Sequence, residues 1–139
     1  MFARSTTIMG DPLRIDDGIA YVRDEVMPFI TGLDGCVGLS MMLDRGSGQC
    51  IVTSSWLDDE AMRASDVHLA PMRARAGDLL VGQPQVEEWE IAAMHRDHLT
   101  LPGACCRATW LRTNHSDVDR GIGVYRETLL PLLEELPGF

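Results

Sequence analysis

An α+β fold is predicted: one ferredoxin-like β-α-β-β-α-β unit with an antiparallel sheet covered on one face by two helices, followed by an extra strand and helix that begin a second copy. Two observations carry this. The first is internal repetition. Residues Arg4 to Cys36 align without a gap onto Arg107 to Phe139 at a constant offset of 103. Nine of the thirty-three positions are identical: Arg4/Arg107, Thr6/Thr109, Asp16/Asp119, Gly18/Gly121, Ile19/Ile122, Arg23/Arg126, Pro28/Pro131, Leu33/Leu136 and Gly35/Gly138. Average residue usage would supply about two by chance. Apolar positions agree as well, with Ile8, Ile15, Val26 and Ile30 facing Leu111, Val118, Leu129 and Leu133. The second observation is the order of period-2 and period-3.6 segments between the copies.

Phe2 to Met9 is a short extended run, matched by Cys105 to Thr113. Each run passes through a polar turn into an amphipathic helix, with Asp16 or Asp119 expected as its cap. Ile19, Val22, Val26, Phe29, Ile30 and Leu33 form one apolar stripe, and Ile122, Tyr125, Leu129, Leu132, Leu133 and Leu136 form the other. Pro28 and Pro131 each remove a backbone donor late in these helices and should bend or shorten the last turn. Gly35 and Gly138 suit the reversal that follows.

Cys36 to Asp44 reads as a strand, Arg45-Gly46-Ser47-Gly48 as a hairpin turn, and Gln49 to Leu57 as the returning strand. The glycines are not a phosphate loop, since no Walker lysine and no helix start follow them. Asp58 should cap a second helix with Asp59 and Glu60 in its first turn, where a helix dipole favours acid. Pro71 is expected to interrupt that helix, and a further helical piece should end near Gly82. Val86 to Met94 alternates as a fourth strand. The division expected is a complete repeat over 1–96, a linker over 97–104 and a partial repeat over 105–139, whose stop at Phe139 reads as a truncation of the second copy.

Composition narrows the function. Twelve basic against twenty-one acidic residues, a formal charge of −9, repel phosphate backbones and anionic headgroups, so neither nucleic acid nor a membrane surface is an expected partner. No apolar run reaches the ~18 residues of a spanning helix, and a cytoplasmic location is expected. Cys36, Cys50, Cys105 and Cys106 lack the paired spacing of a zinc site and are expected to be reduced and partly buried. No G-x-S-x-G elbow and no Ser, His and carboxylate in triad-like context point to hydrolysis. Asp58-Asp59-Glu60 diverge at a helix start and form no metal cage.

At Ile51-Val52-Thr53-Ser54-Ser55-Trp56-Leu57-Asp58-Asp59-Glu60-Ala61-Met62 the chain resembles the antibiotic-biosynthesis-monooxygenase family of dimeric α+β barrels, in which the third strand ends in a tryptophan and runs into an acidic capped helix. The likeness covers roughly Met1 to Met94, through the Leu33-Asp34-Gly35-Cys36 turn and the late Glu88-Trp89-Glu90-Ile91 strand. Its members include cofactor-free monooxygenases of polyketide quinones and haem-degrading enzymes. The haem-degrading branch uses an asparagine on the first strand and an axial histidine on the second helix. Here Thr6 and Thr7 stand on that strand and Met72-Arg73-Ala74-Arg75 on that helix, so haem degradation is not expected. His68 lies one to two turns earlier, where a lone histidine is more commonly a surface or hydrogen-bonded residue than an iron ligand.

In the quinone-oxidising members an apolar cavity between sheet and helices holds the substrate, and polar side chains hold its phenolate. The resemblance thus implies a cavity lined by Met41, Met42, Val52, Trp56, Met62, Met72 and Trp89, with Thr6, Thr7, Ser54, Ser55, His68 and Arg73 as donors. Trp56 and His68 are the catalytic candidates; Thr6, Thr7, Ser54, Ser55, Arg73 and Trp89 are the substrate-binding ones. Large aromatics dominate cores by area alone, and methionine is adaptable core filler. The reaction implied is a cofactor-independent oxidation of a small aromatic or quinol, with no cofactor and no metal. The alternative is a non-catalytic binding or interaction module. A pocket of roughly 300 Å³ or more with convergent polar groups separates the two. Self-association as a homodimer or larger assembly is expected, because the partial repeat carries an apolar helix face without a sheet of its own.

Overall fold

The computed structural model describes residues 1–95 and 103–139. These form two compact units, Met1–Ile91 and Ala92–Phe139. In the first, β1 (Phe2–Met9) leads through a 3-10 turn (Pro12–Arg14) into α1 (Ile15–Tyr21), a wide π turn (Val22–Val26) and α2 (Met27–Ile30). The hairpin of β2 (Cys36–Asp44) and β3 (Gln49–Trp56) follows, then α3 (Asp59–Ala64), α4 (Asp66–Leu80) and β4 (Gln85–Glu90). The sheet order is β2-β3-β1-β4, antiparallel throughout, so the expected ferredoxin-like arrangement is present.

Strand parity decides which side chains meet the helices. Arg4, Thr6 and Ile8 lie opposite Ser54, Val52 and Cys50 and share one face. On that face Ile8 and Cys50 pack with Ile15 and Leu80 near one end of the sheet. Trp56 packs with Ile30, Met62 and Leu69 near the other. Full burial of each large apolar side chain contributes about 1.5–3 kcal/mol, so these two clusters hold the helices to the sheet.

Local chemistry sets the boundaries, and in three places it differs from the expectation. Asp16 is not the cap of the first helix. It lies in the first turn of α1, and the capping side chain is Asp11, which accepts from the Leu13 N–H at 2.9 Å. Pro71 does not interrupt the second helix; it lies inside α4, and the break falls at Ser65. The Ser65 hydroxyl donates to the Met62 carbonyl at 2.7 Å and so competes with the helical ladder, whereas Pro71 sits on an exposed face where water can take the freed carbonyl. The fourth strand is shorter than Val86 to Met94, ending at Glu90. Asp58 does cap α3, accepting from the Ala61 N–H at 2.8 Å. In the β2–β3 turn, Gly48 has φ +78, and a Cβ there would meet the Gly10 carbonyl oxygen at 2.1 Å, so only glycine fits.

The second unit repeats the first helix element for element. A 3-10 turn (His115–Asp117), α5 (Val118–Val124), a π turn (Tyr125–Leu129) and α6 (Leu130–Glu134) each begin 103 residues after their counterparts. The prolines explain the shared π turns: an α-helix would drive a carbonyl of the preceding turn into the pyrrolidine ring. The wider turn just before each proline relieves that conflict. It is closed by the Met27 N–H on the Val22 carbonyl and by the Leu130 N–H on the Tyr125 carbonyl. Gly35 and Gly138 both take positive φ, +75 and +91.

The run Cys105 to Thr113, expected as a strand, enters no ladder. In the first unit β1 is held between β3 and β4, and these 139 residues contain no second copy of either; a lone strand is not stable in water. Cys105 and Cys106 are exposed there instead of partly buried, while Cys50 is buried and Cys36 half-buried, all four as free thiols. Of the linker expected over 97–104, residues 97–102 lie outside the described residues. No helix among the described residues is long and apolar enough to cross a membrane.

Candidate functional site

Between the helices and the inner face of the sheet lies a cleft of about 60 Å³. Its walls are mostly apolar: Ile8, Leu39 and Val52 from the sheet, Val22, Val26 and Ile30 from the first helical segment, and Leu69, Met72 and Ala76 from α4. Four polar residues join them, namely Arg4, Thr6, Ser54 and Arg73. Thr6 and Ser54 are there because they share the parity of Ile8 and Val52. Leu69, Met72 and Ala76, three and four apart on α4, share one face, and Arg73, four after Leu69, reaches the cleft from its edge.

The polar groups are tied to one another. Ser54 Oγ donates to the Arg4 carbonyl at 3.4 Å and accepts the Trp56 indole N–H at 2.9 Å. Arg4, 4% exposed, donates through Nε and a terminal nitrogen to Glu88 Oε1 at 3.1 and 2.7 Å. Its other terminal nitrogen lies 3.4 Å from Ser65 Oγ and 3.3 Å from Asp66 Oδ1. Arg73 donates to that same Asp66 oxygen. Such pairing lets guanidinium groups lie beneath apolar walls, since an unpaired buried charge is strongly disfavoured.

Of the residues singled out from the sequence, the structure brings Thr6, Ser54, Val52, Met72 and Arg73 together in the cleft. Trp56 and Met62 lie beside it in the core, with Trp56 wholly buried. Met41 packs against the Ile8 cluster. Ser55, Trp89 and Met42 belong to the opposite face of the sheet by register, as do Ser5 and Thr7 by alternation, and the Trp89 indole N–H donates to Ser5 Oγ at 2.8 Å. His68 is exposed on α4, its ring edge-on to Phe29 at 6.0 Å between centroids. Arg4 was the polar lining residue that pattern reading passed over. Its signal was available, because it shares parity with Thr6 and recurs as Arg107 in the second copy.

No group of three or more His, Cys, Asp or Glu side chains able to hold a metal is found among the described residues. Burial pushes the Cys50 and Cys36 thiols above their ordinary range. Burial also raises the Tyr21 phenol, with the Arg75 guanidinium, 4.7 Å from its ring centroid, acting in the opposite sense.

Comparison with solved structures places the first unit in a defined class, the ferredoxin-like α+β fold of antibiotic-biosynthesis-monooxygenase structures. Rv0793 from Mycobacterium tuberculosis superposes with a TM-score of 0.54 at 17% identity, covering 70% of this chain and 98% of that one. A monooxygenase from the gene ActVA-Orf6 of Streptomyces coelicolor, solved with the ligand nanaomycin D, does so with 0.54 at 18% identity, covering 73% and 92%. At these identities the likeness is one of fold.

Among sequences, the chain is similar to the uncharacterized proteins Rv2557 and Rv2558 of Mycobacterium tuberculosis H37Rv, at 52% identity over all 139 residues. It spans 62% and 59% of their respective lengths. No family model matches the chain.

Proposed function

We propose that the first unit is an antibiotic-biosynthesis-monooxygenase-like binding unit that takes a small, flat, mainly apolar molecule into the cleft between sheet and helices. Its reaction would be a cofactor-independent oxidation of an aromatic or quinol. The observation that carries this is the cleft itself: apolar walls with Thr6, Ser54 and Arg73 converging from the sheet and α4. Apolar walls exclude water and strengthen hydrogen bonds to a phenolate, and the Thr6 hydroxyl and Arg73 guanidinium are the donors able to hold it. Met72 is the adaptable wall, since an unbranched thioether repacks at little cost.

Oxygen uptake by the purified chain with a panel of quinols, without added cofactor, tests the reading. Turnover that falls about a hundredfold in Thr6→Val, which keeps shape and removes the hydroxyl, is the expected result. Binding without uptake would leave a binding unit and discard the oxidation.

A second reading, a non-catalytic interaction module, is favoured by the cleft's size. About 60 Å³ is far short of the roughly 300–1,000 Å³ of ligand pockets, so entry requires Met72 and its neighbours to move. Absence of both binding and uptake across the panel would establish the module reading.

The same proposal extends to organisation. The chain would be one complete and one partial copy of a tandem repeat, self-associating as a homodimer or larger assembly. The matched 3-10, α and π segments at a spacing of 103 support the repeat. The longer relatives leave about two-fifths of their length outside the matched part, a length sufficient for the strands a second unit needs.

A further inference from the structure

We infer that the ligand of this cleft carries a carboxylate, and that Asp66 occupies the place of that group in the free protein. The inference rests on reading the cleft as a ligand site, and it names the chemical class that the site selects.

The argument begins with what is fixed and what is free. Arg4 and Arg73 both line a cleft whose walls are otherwise mainly apolar. Their side chains are only 4% and 16% exposed, so the cations are held in place. One terminal nitrogen of each points to a single atom, Asp66 Oδ1, at 3.3 Å from Arg4 and in contact with Arg73. Asp66 itself is half exposed, at 50%, and it is the first residue of α4. The anion therefore stands at the water boundary, at the ends of two largely buried cations. The second carboxylate, Glu88, is bound to Arg4 alone.

Two guanidinium groups that each give one N–H to the same carboxylate oxygen form charge-assisted hydrogen bonds, about twice as strong as neutral ones. Water can solvate an Asp66 side chain that swings outward, while Arg4 stays held by Glu88. With Met72 and its neighbours displaced, an aromatic carboxylate entering the cleft would lay its ring against Val22 and Val26 and put its charge where Asp66 Oδ1 now lies. Exchange of one carboxylate for another leaves the local charge balance unchanged, which removes the penalty of adding a net charge beneath apolar walls.

Calorimetric titration of the full chain with 2-naphthoate and with 2-naphthamide, its neutral isostere, tests this. Naphthoate is expected to bind at least about tenfold more tightly, the difference charged hydrogen bonds provide. Asp66→Asn should strengthen naphthoate binding and leave naphthamide unchanged, while Arg73→Gln should erase the preference. Should Arg73→Gln fail to fold, Arg73→Lys, retaining the charge on a shorter, strongly hydrated ammonium, should reduce the preference without abolishing it. Equal binding of the two probes by the natural chain and by Asp66→Asn would overturn the carboxylate inference and leave the cleft reading intact. Binding of neither probe by either protein would overturn both.

Discussion

Trp56 has no exposed surface and gives its indole N–H to Ser54, so its first role is structural. Trp56→Ala is expected to cost about 3–5 kcal/mol of stability, read as a lower urea midpoint, and an activity change in that variant would report unfolding and not chemistry. The cysteines give a second prediction at this scale. Cys50 is buried and its thiol is raised above the ordinary range by burial. The folded state thus holds that proton more tightly than the unfolded chain. The associated stability is fully present below the unfolded thiol pKa, about 8.5, and is lost as pH rises toward the folded value. A urea midpoint that falls above that pH in the natural chain and stays flatter in Cys50→Ala is expected. With a thiol reagent at neutral pH, exposed Cys105 and Cys106 should react at once and Cys50 only on unfolding. Thr6, Ser54 and Arg73 were legible through the family resemblance, which named them together with Thr7 and Ser55; register then separates each pair, with Thr6 and Ser54 on the inner face. Ser55 and Trp89 were drawn into the same site because a list of polar and aromatic residues does not state which face each strand turns inward.

At the scale of elements, the alternation and turn chemistry of β1, β2 and β3 made their positions legible to within a residue. Caps were harder. Asp11, Asp16 and Asp17 all precede or open the same apolar stripe, and only the 3-10 turn at Pro12 makes Asp11 the one that reaches a free N–H. Asp58 stands alone before its helix and was unambiguous. Asp58→Ala should cost about 1 kcal/mol, with the loss seen in thermal or urea unfolding of the first unit. The π turns were not legible, since proline announces a conflict without saying whether the helix will kink, shorten or widen to meet it. Pro28→Ala removes the conflict. The expected outcome is return of the 22–26 segment to ordinary α hydrogen bonding, detectable as changed amide exchange at Met27, whose N–H reaches the Val22 carbonyl five residues back.

For the whole molecule, the repeat was visible in identities alone, whereas the fate of its second copy was not. Leu129 and Leu132 stay exposed on the helical segment whose counterpart in the first unit buries Ile15 and Ile30, and Leu136 stays exposed just after it. Exposed apolar area of this kind drives association. Light scattering is expected to give at least twice the chain mass, and a version ending near Arg96 should lose part of that association; a monodisperse monomer for the full chain would count against it.

The central place of β1 also bears on synthesis. β1 pairs on both sides with strands made after it, β3 and then β4, the latter about eighty residues downstream. While the chain is being extended by the ribosome, Phe2–Met9 therefore waits with at least one open side, and its last neighbour comes only after Glu90 has emerged. Such distant pairing is slow. The near-copy from Cys105 to Thr113 emerges shortly afterwards, carrying the same arginine and threonine at matching places. The acidic strand β4, with Glu87, Glu88 and Glu90, emerges between the two copies and pairs with the first.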